Sequence, residues 1–262
     1  MAKSNNRPPV CILRTDGTNC DEELFYAFQK YDADPEYVHI NQLRSKEKKL
    51  KHYKILALPG GFAYGDDVVS GKILAVELVS FLKDQIEQFV KNKGIVLGVC
   101  NGFQALIRTG LLPFNNLGKM DATLAQNEAG HFECRWVKIK IERSAAPYLK
   151  QYVGQTLDIA VNHGEGRFFA PKKVIDQVEK QNLVFGRYVN GTGKPTQKYP
   201  CNPNAAINAI AGITDPTGRI IGLMPHPEKI VDKTQHPNWR RGNVEAKGGL
   251  LFEALVNFAK QS

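Results

Sequence analysis

Short apolar runs alternate with amphipathic stretches through the first hundred residues. Val10-Cys11-Ile12-Leu13 is an apolar run of strand length, followed by a turn at Asp16-Gly17-Thr18-Asn19. Across 21–31, Leu24, Phe25, Phe28 and Tyr31 recur at helical spacing and predict an amphipathic helix. Glu36 to Ile40 predicts a second strand, and Tyr53 to Leu58 a third that ends in Pro59-Gly60-Gly61. From Gly71 to Lys93, Leu74, Leu78, Phe81, Ile86, Phe89 and Val90 predict the buried side of one long helix. Ile95 to Val99 is a fourth strand, and Phe103 to Thr109 a helix closed by Gly110. Strands alternating with helices over short connections predict an α/β fold with a mainly parallel sheet covered on both faces.

The pattern then changes. Phe132 to Glu142 alternates as a strand with one wetter face would. Further strands are predicted at Leu157–Val161, Leu183–Val189, Ala205–Ile213 and Arg219–Leu223, the last two separated by the turn Asp215-Pro216-Thr217-Gly218. A meander of antiparallel strands attached to the parallel sheet is the expected arrangement. A final helix over about 244–260 buries Leu251, Leu255, Phe258 and Leu250. Residues 172–203 read as the least regular region, with the most mobile loop at Gly191-Thr192-Gly193-Lys194-Pro195. Residues 1–8 read as a disordered lead-in, and 9–262 as one domain.

Composition narrows the class. An apolar fraction of 42% and a charged fraction of 23% are ordinary for a soluble globular chain. No apolar run approaches the roughly 20 residues of a membrane span, and the N-terminus has no signal-peptide core. The five cysteines (Cys11, Cys20, Cys100, Cys134, Cys201) are odd in number and scattered, with no C-x-x-C pair. Neither a zinc site nor a disulfide framework is expected, and a reduced, cytoplasmic setting fits. The net charge of +9 is spread along the chain, and its one dense cluster (Arg44, Lys46, Lys48, Lys49, Lys51) is interrupted by Glu47. That reads as a solvated face, or a patch for an acidic partner, rather than a nucleic-acid site.

The chemistry centres on Gly98-Val99-Cys100-Asn101-Gly102. A strand, a sharp turn and a helix make the context of a nucleophile elbow, with cysteine where G-x-S-x-G has serine. Glycines let neighbouring backbone approach, and the following helix points its N-terminus at the sulfur. A nucleophile needs a base and the base an orienting group. Met224-Pro225-His226-Pro227-Glu228 directly follows the strand ending at Leu223. In an extended segment His226 and Glu228 project to one side, so Glu228 can hold the imidazole that serves Cys100. The carboxyl ends of strands 95–99 and 219–223 can meet at one sheet edge. Acyl transfer also needs N–H donors for an oxyanion. The loop Pro59-Gly60-Gly61-Phe62 can offer one from Gly61 or Phe62, and Asn101 a second. A P-loop at Gly65 to Lys72 is rejected, because Ile73 stands where Ser or Thr should hold magnesium and two aspartates would repel phosphate.

These motifs resemble the class I (triad) glutamine amidotransferase family. Leu58-Pro59-Gly60-Gly61-Phe62-Ala63-Tyr64-Gly65-Asp66, Gly98 to Gln104, Phe132-Glu133-Cys134-Arg135-Trp136-Val137, His163-Gly164-Glu165-Gly166-Arg167-Phe168 and Leu223 to Glu228 are similar to the branch that serves phosphoribosylformylglycinamidine synthase. The resemblance runs from about residue 9 to 260. It implies a flavodoxin-like single domain with an antiparallel extension. It implies Cys100 as nucleophile, His226 as acid/base, Glu228 as its orienter and Gln104 as a contact to bound glutamine. It implies a separate synthetase subunit and a small bridging subunit as partners. ATP and magnesium are expected on the synthetase, with no cofactor or metal in this chain. His163, Glu165 and Arg167 alternate with glycines and by spacing read as an exposed turn, with no role assigned. An amidotransferase subunit for another synthetase, or a free-standing cysteine hydrolase, is the alternative.

Overall fold

The computed structural model describes residues 7–261. The predicted lead-in therefore falls mostly outside the described residues, but its end does not. Pro8 is buried, and Arg7 pairs with Asp32 at 2.8 Å.

In chain order the parallel half contains β1 (Pro9–Arg14), α1 (Asp21–Lys30), β2 (Asp34–His39), a short α2 (Ile40–Arg44), β3 (Ile55–Leu58), α3 (Lys72–Phe81), α4 (Lys83–Lys91), β4 (Ile95–Val99) and α5 (Asn101–Thr109). There follow β5 (Thr123–Gln126), β6 (Glu133–Ile141), β7 (Thr156–His163), β8 (Glu165–Phe169), α6 (Lys172–Lys180), β9 (Val184–Val189), β10 (Ile210–Thr214), β11 (Ile220–Leu223) and α7 (Gly249–Lys260). One sheet has the order β2-β1-β3-β4-β11-β10-β9-β6-β7. From β2 to β11 neighbours run parallel, and from β11 to β7 they run antiparallel. Strands β3, β4 and β11 are buried along their whole length, as the centre of a sheet covered on both faces must be. Helices α1 and α7 pack together through Phe28 and Phe252, with ring centroids 5.2 Å apart. Helices α3 and α5 form a second group.

Five expectations change. The long helix over 71–93 is two, broken at Leu82 (φ −115°, ψ 8°). Leu74, Leu78, Leu82 and Ile86 are buried at a uniform spacing of four. On a 3.6-residue helix that spacing drifts by about 40° per step, so a break is needed to return the stripe to the core. Phe81, expected inside, is exposed, and the Arg44 guanidinium lies 4.1 Å from its ring centroid. The strand expected from Ala205 begins only at Ile210, because Ala205, Asn208 and Ala209 take positive φ of 60°, 51° and 57°. The final helix starts at Gly249 rather than 244. Finally, residues 172–203 contain α6, which buries Ile175 and Val178, and all of β9. Only the stretch beyond Asn190 is irregular, and its turn is closed on Asn190, whose side-chain oxygen accepts from the N–H groups of Thr192 and Lys194.

Four loops leave the carboxyl ends of β1, β3, β4 and β11 on one edge. Strand order places β1 and β3 side by side with β2 outside them, and β4 beside β11. An open α/β sheet binds its ligands at that edge.

Candidate active site

The turn after β4 sets the first side chain. Cys100 takes φ 50° and ψ −106°, a region that costs a non-glycine residue about 1–3 kcal/mol. The strain is held by close packing. A Cβ on Gly102 would stand 2.1 Å from the Leu58 carbonyl oxygen, so only glycine lets α5 settle against β3. The Cys100 N–H donates to the Leu223 carbonyl at 2.8 Å, which ties the elbow to the end of β11.

The segment after β11 delivers the candidate base. His226 is extended (φ −103°, ψ 90°), and its N–H donates to Ala160 of β7 at 2.8 Å. Pro227–Ile230 then folds into a 3-10 turn. The expected extended register of His226 and Glu228 is thus absent. The turn brings them together instead, with Nδ1 2.5 Å from Glu228 Oε1. Both side chains are fully buried. Burial disfavours the imidazolium, but the Glu228 carboxylate, and after it the Cys100 and Cys20 sulfurs, outweigh this and hold the His226 pKa well above the usual imidazole range. His226 and Cys100 meet beside Gly60, where an added Cβ would lie 2.7 Å from the imidazole Cε1 and 3.4 Å from Cys100 Cβ. Gly60→Ala is expected to displace the ring and lower kcat about 100-fold, the scale of a 1 Å misplacement. Undiminished kcat in a steady-state assay would show that the imidazole does not need this position.

The glycine-rich loop is positioned by the elbow helix. Asn101 Oδ1 accepts from the Ala63 N–H at 3.2 Å, and its Nδ2 donates to Asp66 and Gln104 at 2.9 and 3.0 Å. The Asn101 main-chain N–H opens α5 and has no place in the helical ladder. One predicted donor is corrected here. The Phe62 N–H donates to the Gly17 carbonyl at 3.0 Å, so in this conformation it is spent on the turn after β1. Gly61 remains the loop candidate. The Phe62 ring is exposed and packs against Phe132, with centroids 6.2 Å apart.

Gln104 is buried rather than open to a ligand. Its Oε1 accepts from Asn101, and its Nε2 donates to the Glu165 carbonyl. Its amide therefore holds the 165 segment against the elbow helix. The HGEGRF stretch, expected as an exposed turn, joins β7 to β8, and β8 pairs with β5. Glu165 faces Arg108 at 3.5 Å. His163 is buried, its Nδ1 lies 3.1 Å from Asn127 Oδ1, and its Nε2 has no hydrogen-bond partner. Burial, and then the neighbouring His226 charge, push its pKa down to about 3. The unfolded chain thus binds a proton at His163 below its ordinary pKa of about 6.5 while the native state does not. Stability from this group is present above that value and is lost as pH falls through 6.5 toward 3, by at most about 1.4 kcal/mol per unit. Urea midpoints at pH 7 and pH 5 should show the loss. His163→Gln, which does not titrate, should flatten it.

Two residues escaped the sequence reading. Asn162, at the end of β7, accepts from Cys100 Sγ on its carbonyl at 3.4 Å and from Lys229 on Oδ1 at 3.3 Å, and donates to Cys134 Sγ at 3.0 Å. No local signal marks it. Cys20, read as one of several scattered cysteines, lies buried against the triad. Its position just after the β1 turn was the available clue.

A nucleophile on a strained elbow, a buried imidazole, a carboxylate and nearby N–H donors suit acyl transfer through a covalent thioester. Comparisons with known proteins identify the family. Residues 7–259 match the model of the CobB/CobQ-like glutamine amidotransferase domain. A phosphoribosylformylglycinamidine synthase subunit PurQ from Dehalococcoides mccartyi is 41% identical over 95% of this chain and 97% of its own. Its counterpart from Methanococcus maripaludis is 37% identical over 95% and 93%. Among solved structures, a chain of PurLQS from Thermotoga maritima superposes with a TM-score of 0.73 at 27% identity, covering 96% of this chain and 99% of that one.

Proposed function

The chain belongs to the CobB/CobQ-like glutamine amidotransferase family, and from that premise we propose that it is the glutaminase subunit of phosphoribosylformylglycinamidine synthase in purine biosynthesis. The observation that carries the reading is the buried His226–Glu228 pair beside the Cys100 elbow, in a chain that matches PurQ proteins over nearly its full length.

In the proposed cycle His226 takes the Cys100 proton as the sulfur attacks the side-chain amide carbon of glutamine. The N–H groups of Gly61 and Asn101 hold the tetrahedral oxyanion. His226 returns the proton to the leaving ammonia, and a γ-glutamyl thioester stays on Cys100. Water activated by His226 then releases glutamate and restores the thiol. Glu228 holds the imidazole in one tautomer and supports its charge. Gln104 serves by positioning the Glu165 segment. Ammonia passes to a separate synthetase subunit, joined through a small bridging subunit, where the amide oxygen of formylglycinamide ribonucleotide is replaced by nitrogen. ATP and magnesium act on that partner. Among the described residues no helix is long and apolar enough to cross a membrane, and the five cysteines are free. Free thiols support a reducing, cytoplasmic setting.

Glutamate release from glutamine tests the reading, first with the chain alone and then with synthetase, bridging subunit, nucleotide substrate and ATP. Strong release in the full mixture only is expected. Release indifferent to the partners would replace the proposal with a free-standing hydrolase.

A further inference from the structure

Cys20 lies buried at the catalytic edge, and the glutaminase cycle makes no use of it. It closes the loop after β1, immediately before α1, with its N–H on the Gly60 carbonyl at 3.2 Å. Its sulfur, a ring nitrogen of His226 and a carboxylate oxygen of Glu228 all lie within 4.8 Å of one another. His226 Nδ1 and Glu228 Oε1 pair with each other at 2.5 Å, and the second polar atom of each side chain, His226 Nε2 and Glu228 Oε2, is buried without a hydrogen-bond partner. A thiol, an imidazole and a carboxylate converging out of water are the donor types of a three-ligand zinc site. Bonds of about 2.0–2.3 Å to a tetrahedral ion place its ligands about 3.3–3.8 Å apart. Donors already this close reach that separation by small rotamer changes.

We propose that Cys20, His226 and Glu228 form a binding site for a zinc-like, thiol-seeking divalent cation, and that its occupancy switches the glutaminase off. The inhibitory part rests on the functional reading above; the binding part does not. On binding, Cys20 gives up its thiol proton, and the ion takes the place of the proton shared by His226 and Glu228. Both protons leave to solvent, and no electrons move. With the imidazole held by metal, it can neither take the Cys100 proton nor return one to ammonia. Magnesium prefers six oxygen ligands in octahedral array, so the ion that serves ATP on the partner does not compete.

The test separates binding from catalysis. Full-length chain carrying Cys100→Ala is titrated with Co²⁺, and a sulfur-to-metal charge-transfer band should saturate at one equivalent and be displaced by Zn²⁺. Adding Cys20→Ser should remove the band. A double variant that binds as tightly as Cys100→Ala overturns the site. If that variant does not fold, X-ray absorption on the zinc-loaded Cys100→Ala chain decides: sulfur in the coordination shell supports the site, and its absence overturns it. In the assembled enzyme with Cys100 intact, Zn²⁺ should inhibit glutamine-dependent synthesis while millimolar Mg²⁺ does not. Cys20→Ser alone should raise the half-inhibiting zinc concentration at least about tenfold, since even losing an outer-shell partner costs that much affinity. Equal inhibition of wild type and Cys20→Ser overturns the switch.

Discussion

Cys100→Ala should reduce glutamine-dependent synthesis by the assembled enzyme at least about 100,000-fold, the scale seen when a hydrolase loses its nucleophile. Ammonia-dependent synthesis by the same complex should stay at the wild-type level. The substitution is well suited to the question. Alanine keeps the Cβ that the strained φ of 50° already accommodates, so the elbow gains no new clash. The sulfur donates to the Asn162 carbonyl at 3.4 Å, a weak bond whose loss is tolerable beside the main-chain bond to Leu223. Chemistry is therefore lost and architecture kept. Both activities are assayed on one preparation. If ammonia-dependent synthesis collapses as well, Cys100 is holding the subunit interface or the fold, and the thioester mechanism loses its support.

Glu228→Gln should cost roughly 10,000-fold in kcat, as replacing the carboxylate of a Ser-His-Asp triad by its amide does. Glu228 is completely buried and bonded to Nδ1 at 2.5 Å. A glutamine there can present its N–H₂ to the ring and select the wrong tautomer, and it removes the charge that supports the imidazolium. The His226 pKa should fall, because the carboxylate is the leading influence that holds it up against burial. The acid limb of the pH–rate profile should move to lower pH while the glutamine KM changes little. A loss under tenfold, or an unmoved pH profile, would mean that other contacts orient His226.

How far the site was readable before folding depends on how local each requirement is. Gly98-x-Cys100-x-Gly102 announces itself because the elbow's strain and its close approach to β3 must be met by residues next to the cysteine. The Met224–Glu228 segment was readable for the same reason, although its geometry is a 3-10 turn and not an extended run. Phe62 shows the limit. Its place in the glycine-rich loop suggested a free N–H, but Gly17, 45 positions earlier, uses that N–H. The pairing of β8 with β5 and the tie from Gln104 to Glu165 were hidden because each partner alone looks like a polar turn or a helix surface.

The sequence by itself determined the alternation of strand and helix and marked the residues proposed as nucleophile, base and orienter, because periodicity, glycine sterics and proline stiffness act over a few residues. Tertiary structure decided which loops share the catalytic edge, and so brought Cys20 to the triad and Asn162 to the sulfur. Those juxtapositions follow from the order β2-β1-β3-β4-β11 and from the fold-back of β7 onto His226. Both come from packing between segments that are distant along the chain, where no single stretch carries the signal.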